Sequence, residues 1–222
     1  MGTQSYCRTV LDTLIKIIAM KDLYTAGHQY RVADLSYHMA EILDLPAHER
    51  EGVRWAALVH DLGKIFIPTE ILCKPSRLTS VEMQLVQLHV EKGYEILKEI
   101  PLPWPLAQTV LEHHERMDGN GYPAGLKGFQ ICLAAKILAV ADTVEAMASH
   151  RPYRAALGIE KAMAEIDGNR GNRYDPAVVD ACLGLFQKQR YRFPEDGWDS
   201  LAAGLHSSFE KNQGIKTSKG AL

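Results

Sequence analysis

Seven residues of the kinds that bind metal ions, His28, His60, Asp61, His89, His113, His114 and Asp142, are spread over five separate segments of this chain. Each lies within or at the end of a stretch whose apolar residues recur at helical spacing. A chain that must gather side chains from so many places has few folds open to it. The simplest is a bundle whose helices point their ligands inward. No stretch supports assignment as a strand, and no internal repeat is present. The expected fold class is therefore all-α, a helical bundle with a metal centre in its core.

The pattern can be followed along the chain. From Tyr6 to about Leu23 the residues Val10, Leu11, Leu14, Ile17 and Ile18 form one apolar stripe, read as the first helix. Thr25 is suited to cap a second, which carries His28 in its first turns and Val32, Leu35, Met39, Ile42 and Leu43 on its apolar face. Pro46 suits the first turn of a third helix, which ends on His60-Asp61 and is expected to stop at Gly63. Residues 65–71 read as a short apolar connection. Thr79 and Glu82 fit a capping box that opens the helix bearing His89. Pro101, Pro103 and Pro105 make a rigid corner before a short helix, 106–112, that delivers His113-His114. Gly119, Gly121, Gly125 and Gly128 then mark a long loop, a feature that is often functional in a compact domain.

Residues 131–148 are almost all Ala, Leu, Ile and Val, the composition of a helix buried on most sides, and Asp142 and Glu145 interrupt it. An acid in such a run is costly unless a cation compensates it, so Asp142 is a ligand candidate on burial grounds. Helices over 159–166 and from Asp175-Pro176 to Phe186 close the pattern, the latter with Asp as cap and Pro in the first turn. One domain is expected over 1–190. Residues 191–222 read as an extension, partly disordered, with a Lys-, Gly-, Ser- and Asn-rich end.

With 46% hydrophobic and 23% charged residues the chain has the composition of a soluble globular protein. Its formal net charge of -2 provides no basic footprint for duplex nucleic acid. Cys7, Cys73, Cys132 and Cys182 form no CxxC pair, which argues against a zinc ribbon and leaves them as reduced core thiols. The stretch from Val10 to Met20 carries Asp12 and Lys16 and is too short and too charged to span a membrane, and no signal peptide is evident. A cytoplasmic location is the expectation, with a membrane-tethered parent protein left open.

Five imidazoles and two carboxylates exceed what one ion can use, because an octahedral ion takes about six donors including water. With Asp61 as a bridge, they fit two. Mixed nitrogen and oxygen donors without thiolate favour iron or manganese, with zinc, nickel or magnesium as alternatives. Two ions roughly 3.5–4 Å apart acidify a shared water and set it in line with a phosphodiester. Lys64, Arg151 and Arg154 are placed to meet phosphate charge, although the two arginines equally fit the C-terminal end of a helix dipole.

The motifs His60-Asp61-Leu62-Gly63-Lys64 and His113-His114-Glu115-Arg116-Met117-Asp118-Gly119-Asn120-Gly121-Tyr122-Pro123 resemble those of the HD-GYP family, metal-dependent cyclic dinucleotide phosphodiesterases of the HD superfamily. So do Tyr24 to Val32, the isolated His89, and Asp142 followed by Arg151-Pro152-Tyr153-Arg154. The resemblance implies the HD-domain bundle with its Gly-Tyr-Pro loop, and hydrolysis of cyclic di-GMP to linear pGpG and in some members to GMP. It implies that His28, His60, Asp61 and Asp142 serve one ion, and Asp61, His89, His113 and His114 the other. Asp61 and Lys64 would act in catalysis, Lys64, Arg151, Arg154 and Tyr122 would hold substrate, and Glu115 and Glu145 would stand behind the ligands. It leaves as alternatives a weakly active sensor and an enzyme for another cyclic dinucleotide. Further implied partners are a GGDEF-type cyclase or effector at the Gly-Tyr-Pro loop and a second copy through the first helix. Two departures matter: Tyr24 stands where some members carry a glutamate for a third metal, and Glu145 stands where the family usually has Asp, an exchange expected to alter a contact to the metal site or to Lys64.

Overall fold

Amphipathic runs joined by short proline- and glycine-rich links bury their apolar faces only by packing on one another, and the computed structural model has that form. It describes residues 3–21, 23–150 and 156–194, with side chains from Thr9 onward except those of 21 and 23–26. The helices are α1 (Thr3–Lys21), α2 (Leu23–Ile42), α3 (Ala47–Val59), α4 (Thr69–Leu72), α5 (Ser80–Gln87), α6 (His89–Leu97), α7 (Leu106–Glu112), α8 (Leu133–Ala148), α9 (Ile159–Gly168) and α10 (Pro176–Gln187). Tight 3-10 turns cover Leu62–Phe66 and Gly128–Gln130. No strand occurs among the described residues, only two isolated bridges.

α2 is the axis. It packs most extensively on α3 and α8, and its Val32, Leu35, Met39 and Ala40 are wholly buried. From α8 the residues Ile137, Leu138, Val140, Ala141 and Val144 complete the same core, and α10 adds Val178, Val179, Cys182 and Leu185. α1 lays Leu11, Ile15 and Ile18 against this core and leaves Met20 exposed. The core therefore lies between the long helices, and the ligand-bearing ends of α3, α6 and α7 meet at one end of it.

Most boundaries follow local chemistry. Thr79 accepts from the Glu82 amide while Glu82 accepts from the Thr79 amide, a complete capping box, and Asp175 caps α10 by accepting from Ala177 N. Several expectations are corrected. Thr25 lies inside α2, which starts at Leu23, and its side chain is outside the described set. The helix opened at Thr79 breaks at Leu88, so His89 heads a helix of its own. Residues 65–71 hold the end of a 3-10 turn and the start of α4. Cys73 is exposed where a core thiol was expected. Of the partly disordered extension expected over 191–222, residues 195–222 lie outside those described.

Gly63 does not end α3, because His60 already caps it and the 3-10 turn follows. What requires glycine there is proximity. A Cβ on Gly63 would stand 1.9 Å from the His89 carbonyl oxygen and 2.7 Å from Gly93 N, and one on Gly93 would stand 2.9 Å from Val110 Cγ1. The turn after the His-Asp pair, α6 and α7 thus interlock through two missing side chains. Gly63→Ala is expected to cost about 1–3 kcal/mol, the usual range for overpacking, and to lower the thermal midpoint in calorimetry. An unchanged midpoint would show that this approach is not tight in solution.

Candidate metal centre

Each ligand-type side chain owes its place to a helix end or an inward helix face. His60 is the residue after α3, with Asp61 beside it, His89 is the first residue of α6, and His113 follows α7. His28 comes from α2 and Asp142 from α8. All seven lie together. Ring centroids are 5.4 Å apart for His28 and His60, 5.1 Å for His60 and His113, 5.4 Å for His89 and His113, and 4.1 Å for His113 and His114.

Among the described residues three groups place ligand atoms within 4.8 Å of one another: His89, His113 and His114; His28, His60 and Asp142; and His60, Asp61 and His113. Asp61 lies between the outer two. Its Oδ2 is 3.5 Å from His60 Nε2 and 4.0 Å from His28 Nε2, while its Oδ1 is 3.7 Å from His89 Nε2. The two oxygens of one buried carboxylate therefore face different imidazole groups.

The hydrogen bonds set the imidazole tautomers. His60, His89 and His113 each donate Nδ1–H to a carbonyl three residues earlier, that of Ala57, Val86 and Val110. A carbonyl only accepts, so Nδ1 carries a proton and Nε2 is the nitrogen left to face a cation. Nε2 of His89 and of His113 is buried without a hydrogen-bond partner. Leaving such an atom unpaired costs roughly 1–3 kcal/mol. A cation between these nitrogens removes that cost, and the donor set fits a divalent ion of the first transition row.

Electrostatics agree. Burial, with the neighbouring imidazoles adding to it, holds His113 and His114 well below the ordinary histidine value and lowers His89 to about 4, so these rings are neutral at pH 7. Burial also opposes charge on His28, but Asp142 and Glu145 outweigh it and raise its pKa to about 9. Burial works against ionised Asp61 too, yet His60, Lys64 and His89 hold it well below the carboxylate range.

Other expected residues are placed as follows. Lys64 donates to Asp61 Oδ2 at 2.7 Å. Tyr122 stacks on His114, with centroids 4.7 Å apart and planes 26° from parallel, next to a cis Tyr122-Pro123 bond. Glu115 is buried and is saturated by the loop, not the ligands: its two oxygens accept from Ala124 N at 2.7 Å and Leu126 N at 2.9 Å. Gly121 allows this fit, since a Cβ would lie 2.4 Å from Arg116 N and Glu115 Cα. Glu145 touches His28 and Arg31, so the altered contact expected at Lys64 does not involve it. Glu145 is also the fully buried acid of α8, whereas the Asp142 side chain retains 15% exposure, the reverse of the burial argument. Arg151 and Arg154 lie outside the described residues.

Sequence reasoning missed Arg31 and Glu112. Arg31 was passed over within the helix carrying His28, although it stands three residues after that histidine. Buried Glu112 accepts from Cys132 N at 2.8 Å and ties the end of α7 to the start of α8. No periodic signal marks an acid whose partner is a backbone amide twenty residues away.

An HD-domain family model matches residues 12–178. The chain belongs to the HD-domain family. Its Gly121-Tyr122-Pro123 motif puts it in the HD-GYP branch. It is 36% identical over 211 residues to a cyclic di-GMP phosphodiesterase of Thermotoga maritima, covering 93% of this chain and 57% of the relative. It is 35% identical over 192 residues to 3'3'-cGAMP-specific phosphodiesterase 3 of Vibrio cholerae, covering 86% of this chain and 41% of the relative. The chain thus spans about half the length of these relatives. A solved HDG"Y"P protein from Bdellovibrio bacteriovorus shares the fold at TM-score 0.61 and 14% identity, covering 82% of this chain and 63% of that one.

The two kinds of shifted histidine make the metal-free HD domain most stable near pH 6.5. Neutral His89, His113 and His114 contribute stability above the ordinary histidine value, about 6.5, that is lost as pH falls below it, for His89 through about 4. Protonated His28 contributes stability that is full below about 6.5 and fades as pH rises through about 9. Thermal midpoints of chelator-stripped protein, taken from pH 4.5 to 9.5, should fall on both sides of that maximum. A midpoint that keeps rising to pH 9 would contradict the charged state assigned to His28.

Proposed function

We propose that this HD-GYP domain is a metal-dependent phosphodiesterase that hydrolyses cyclic di-GMP to linear pGpG. The single observation that carries the reading is Asp61, whose two oxygens face separate imidazole groups, as a carboxylate shared by two cations would. The relative from Thermotoga maritima, named for cyclic di-GMP, supports the substrate. His28, His60 and Asp142 with Asp61 would hold one ion and His89, His113 and His114 with Asp61 the other, iron or manganese by donor type, with zinc, nickel or magnesium as alternatives. When bound, such ions supply Lewis acidity towards a phosphoryl oxygen and acidify a water.

The chain's own groups do the rest. Backbone carbonyls hold three imidazoles with Nε2 turned towards the cluster. Lys64 places a cation beside Asp61, where it balances the carboxylate and faces the charge that builds on a phosphodiester. Tyr122, stacked on His114, walls the side of the site from which a base would approach. Arg151 and Arg154 remain the candidates for further phosphate contact. With Tyr24 in place of a metal-binding glutamate, two ions are expected and turnover is expected to stop at pGpG.

A second reading concerns the base: the relative from Vibrio cholerae, named for 3'3'-cGAMP, supports a mixed cyclic dinucleotide as substrate. A third keeps the metals but not the turnover and makes the domain a cyclic dinucleotide sensor. The working domain is taken as residues 1–190 of a bacterial cytoplasmic signalling protein. Docking of a GGDEF-type cyclase or effector at the Gly-Tyr-Pro loop, and pairing of two copies through α1, rest on the family resemblance. No described helix is long and apolar enough to cross a membrane.

Chromatography of cyclic di-GMP and 3'3'-cGAMP incubated with manganese- or iron-loaded protein tests the reading. Accumulation of pGpG is expected; both dinucleotides intact after long incubation would sink the enzyme in favour of the sensor. Asp61→Ala should lose turnover and metal content together. Lys64→Ala should retain both ions yet lose about 2–4 kcal/mol of transition-state stabilisation, roughly 30- to 1,000-fold in kcat/KM. Metal loss in that variant would show that Lys64 supports the ligands and not the phosphate.

A further inference from the structure

Among the four buried imidazoles of the cluster, His28 is held differently from His60, His89 and His113. His60, His89 and His113 donate Nδ1–H to a carbonyl three residues back in the chain, so local backbone geometry orients them. His28 instead directs Nδ1 to Glu145 Oε2, on α8 and 117 positions away in the chain. The other oxygen, Glu145 Oε1, accepts from Arg31 Nε at 2.7 Å. His28 and Arg31 are three residues apart on α2 and so share a face, and Asp142 and Glu145 stand in the same relation on α8. The result is a rung between two helices: His28 Nε2 lies 3.2 Å from Asp142 Oδ1, and behind it Glu145 is clamped between His28 and Arg31.

This rung touches one half of the centre. Glu145 is 0% exposed and is held by His28 and Arg31, with Ser149 also hydrogen-bonded to it; none of His89, His113 and His114 is among these partners. A carboxylate behind an imidazole fixes its orientation and strengthens its free nitrogen as a donor. A buried carboxylate without a cation is itself costly, and the Arg31 guanidinium offsets that charge without entering the ligand cluster. We infer that Arg31 and Glu145 form a positioning pair that sets the ion affinity of the His28, His60 and Asp142 half. The inference rests on the two-ion reading above.

Removing a partner of this kind typically lowers metal affinity by about 10- to 100-fold. Glu145→Gln keeps the shape and removes the charge. Stripped full-length protein titrated with manganese in a calorimeter, with bound metal then counted by elemental analysis after dialysis, gives a readout independent of turnover. Wild type should load two ions. Glu145→Gln should weaken one binding event by that factor, leave the other unchanged, and retain about one ion after dialysis against dilute metal. Arg31→Lys, which keeps the charge but not the two-pronged contact, should weaken the same event by less, and it serves as the test variant should Glu145→Gln not fold by circular dichroism. Both events weakened equally in the folded variant, or neither, would overturn the pair's role while leaving the two-ion reading intact. Fewer than two ions in wild type would overturn the two-ion reading and this inference with it.

Discussion

One buried carboxylate organises this protein. Asp61 is 2% exposed and stays ionised against the pull of burial because His60, Lys64, His89 and His28 surround it. A charge in that position is tolerable only with partners, and the partners come from α2, α3, α6 and the turn after α3. The bundle can therefore be described outward from Asp61. Each helix that approaches it brings either a polar group to satisfy it or an apolar face to exclude water.

The approach itself depends on what is missing. Gly63 and Gly93 let the turn after Asp61, the start of α6 and the side of α7 sit closer than any Cβ would permit. That closeness brings His89 to one oxygen of Asp61 while His60 and His28 face the other. On the outer side, Glu112 and Glu115 use their carboxylates on backbone amides, at Cys132 and at Ala124 and Leu126. These acids flank the His113-His114 pair and anchor the loop that carries Tyr122. Acidic residues thus serve two separate purposes within a few ångströms: facing the ligand cluster, and replacing water for a loop that would otherwise leave its N–H groups unpaired.

The four buried imidazoles are oriented in two ways. A histidine at the end of a helix finds a carbonyl three residues back within reach, and three of them use it. His28 lies within α2, and its Nδ1 takes its orienting partner from another element. Glu145 is that partner, and its two oxygens meet His28 and Arg31.

Much of the protein was legible in the chain alone. Helical periodicity, the capping residues Thr79 and Asp175, the three prolines before α7 and the inventory of histidine and aspartate ligands are local features, because each depends on groups a few residues apart. The sequence by itself therefore determined the helix order, the family motifs and the chemistry on offer. It did not decide which acid is buried deepest, what Glu115 and Glu145 hold, why Gly63 is glycine, or that Arg31 belongs beside the centre. Those answers depend on distances between residues up to 117 positions apart, and such distances exist only once α2, α6, α7 and α8 have packed.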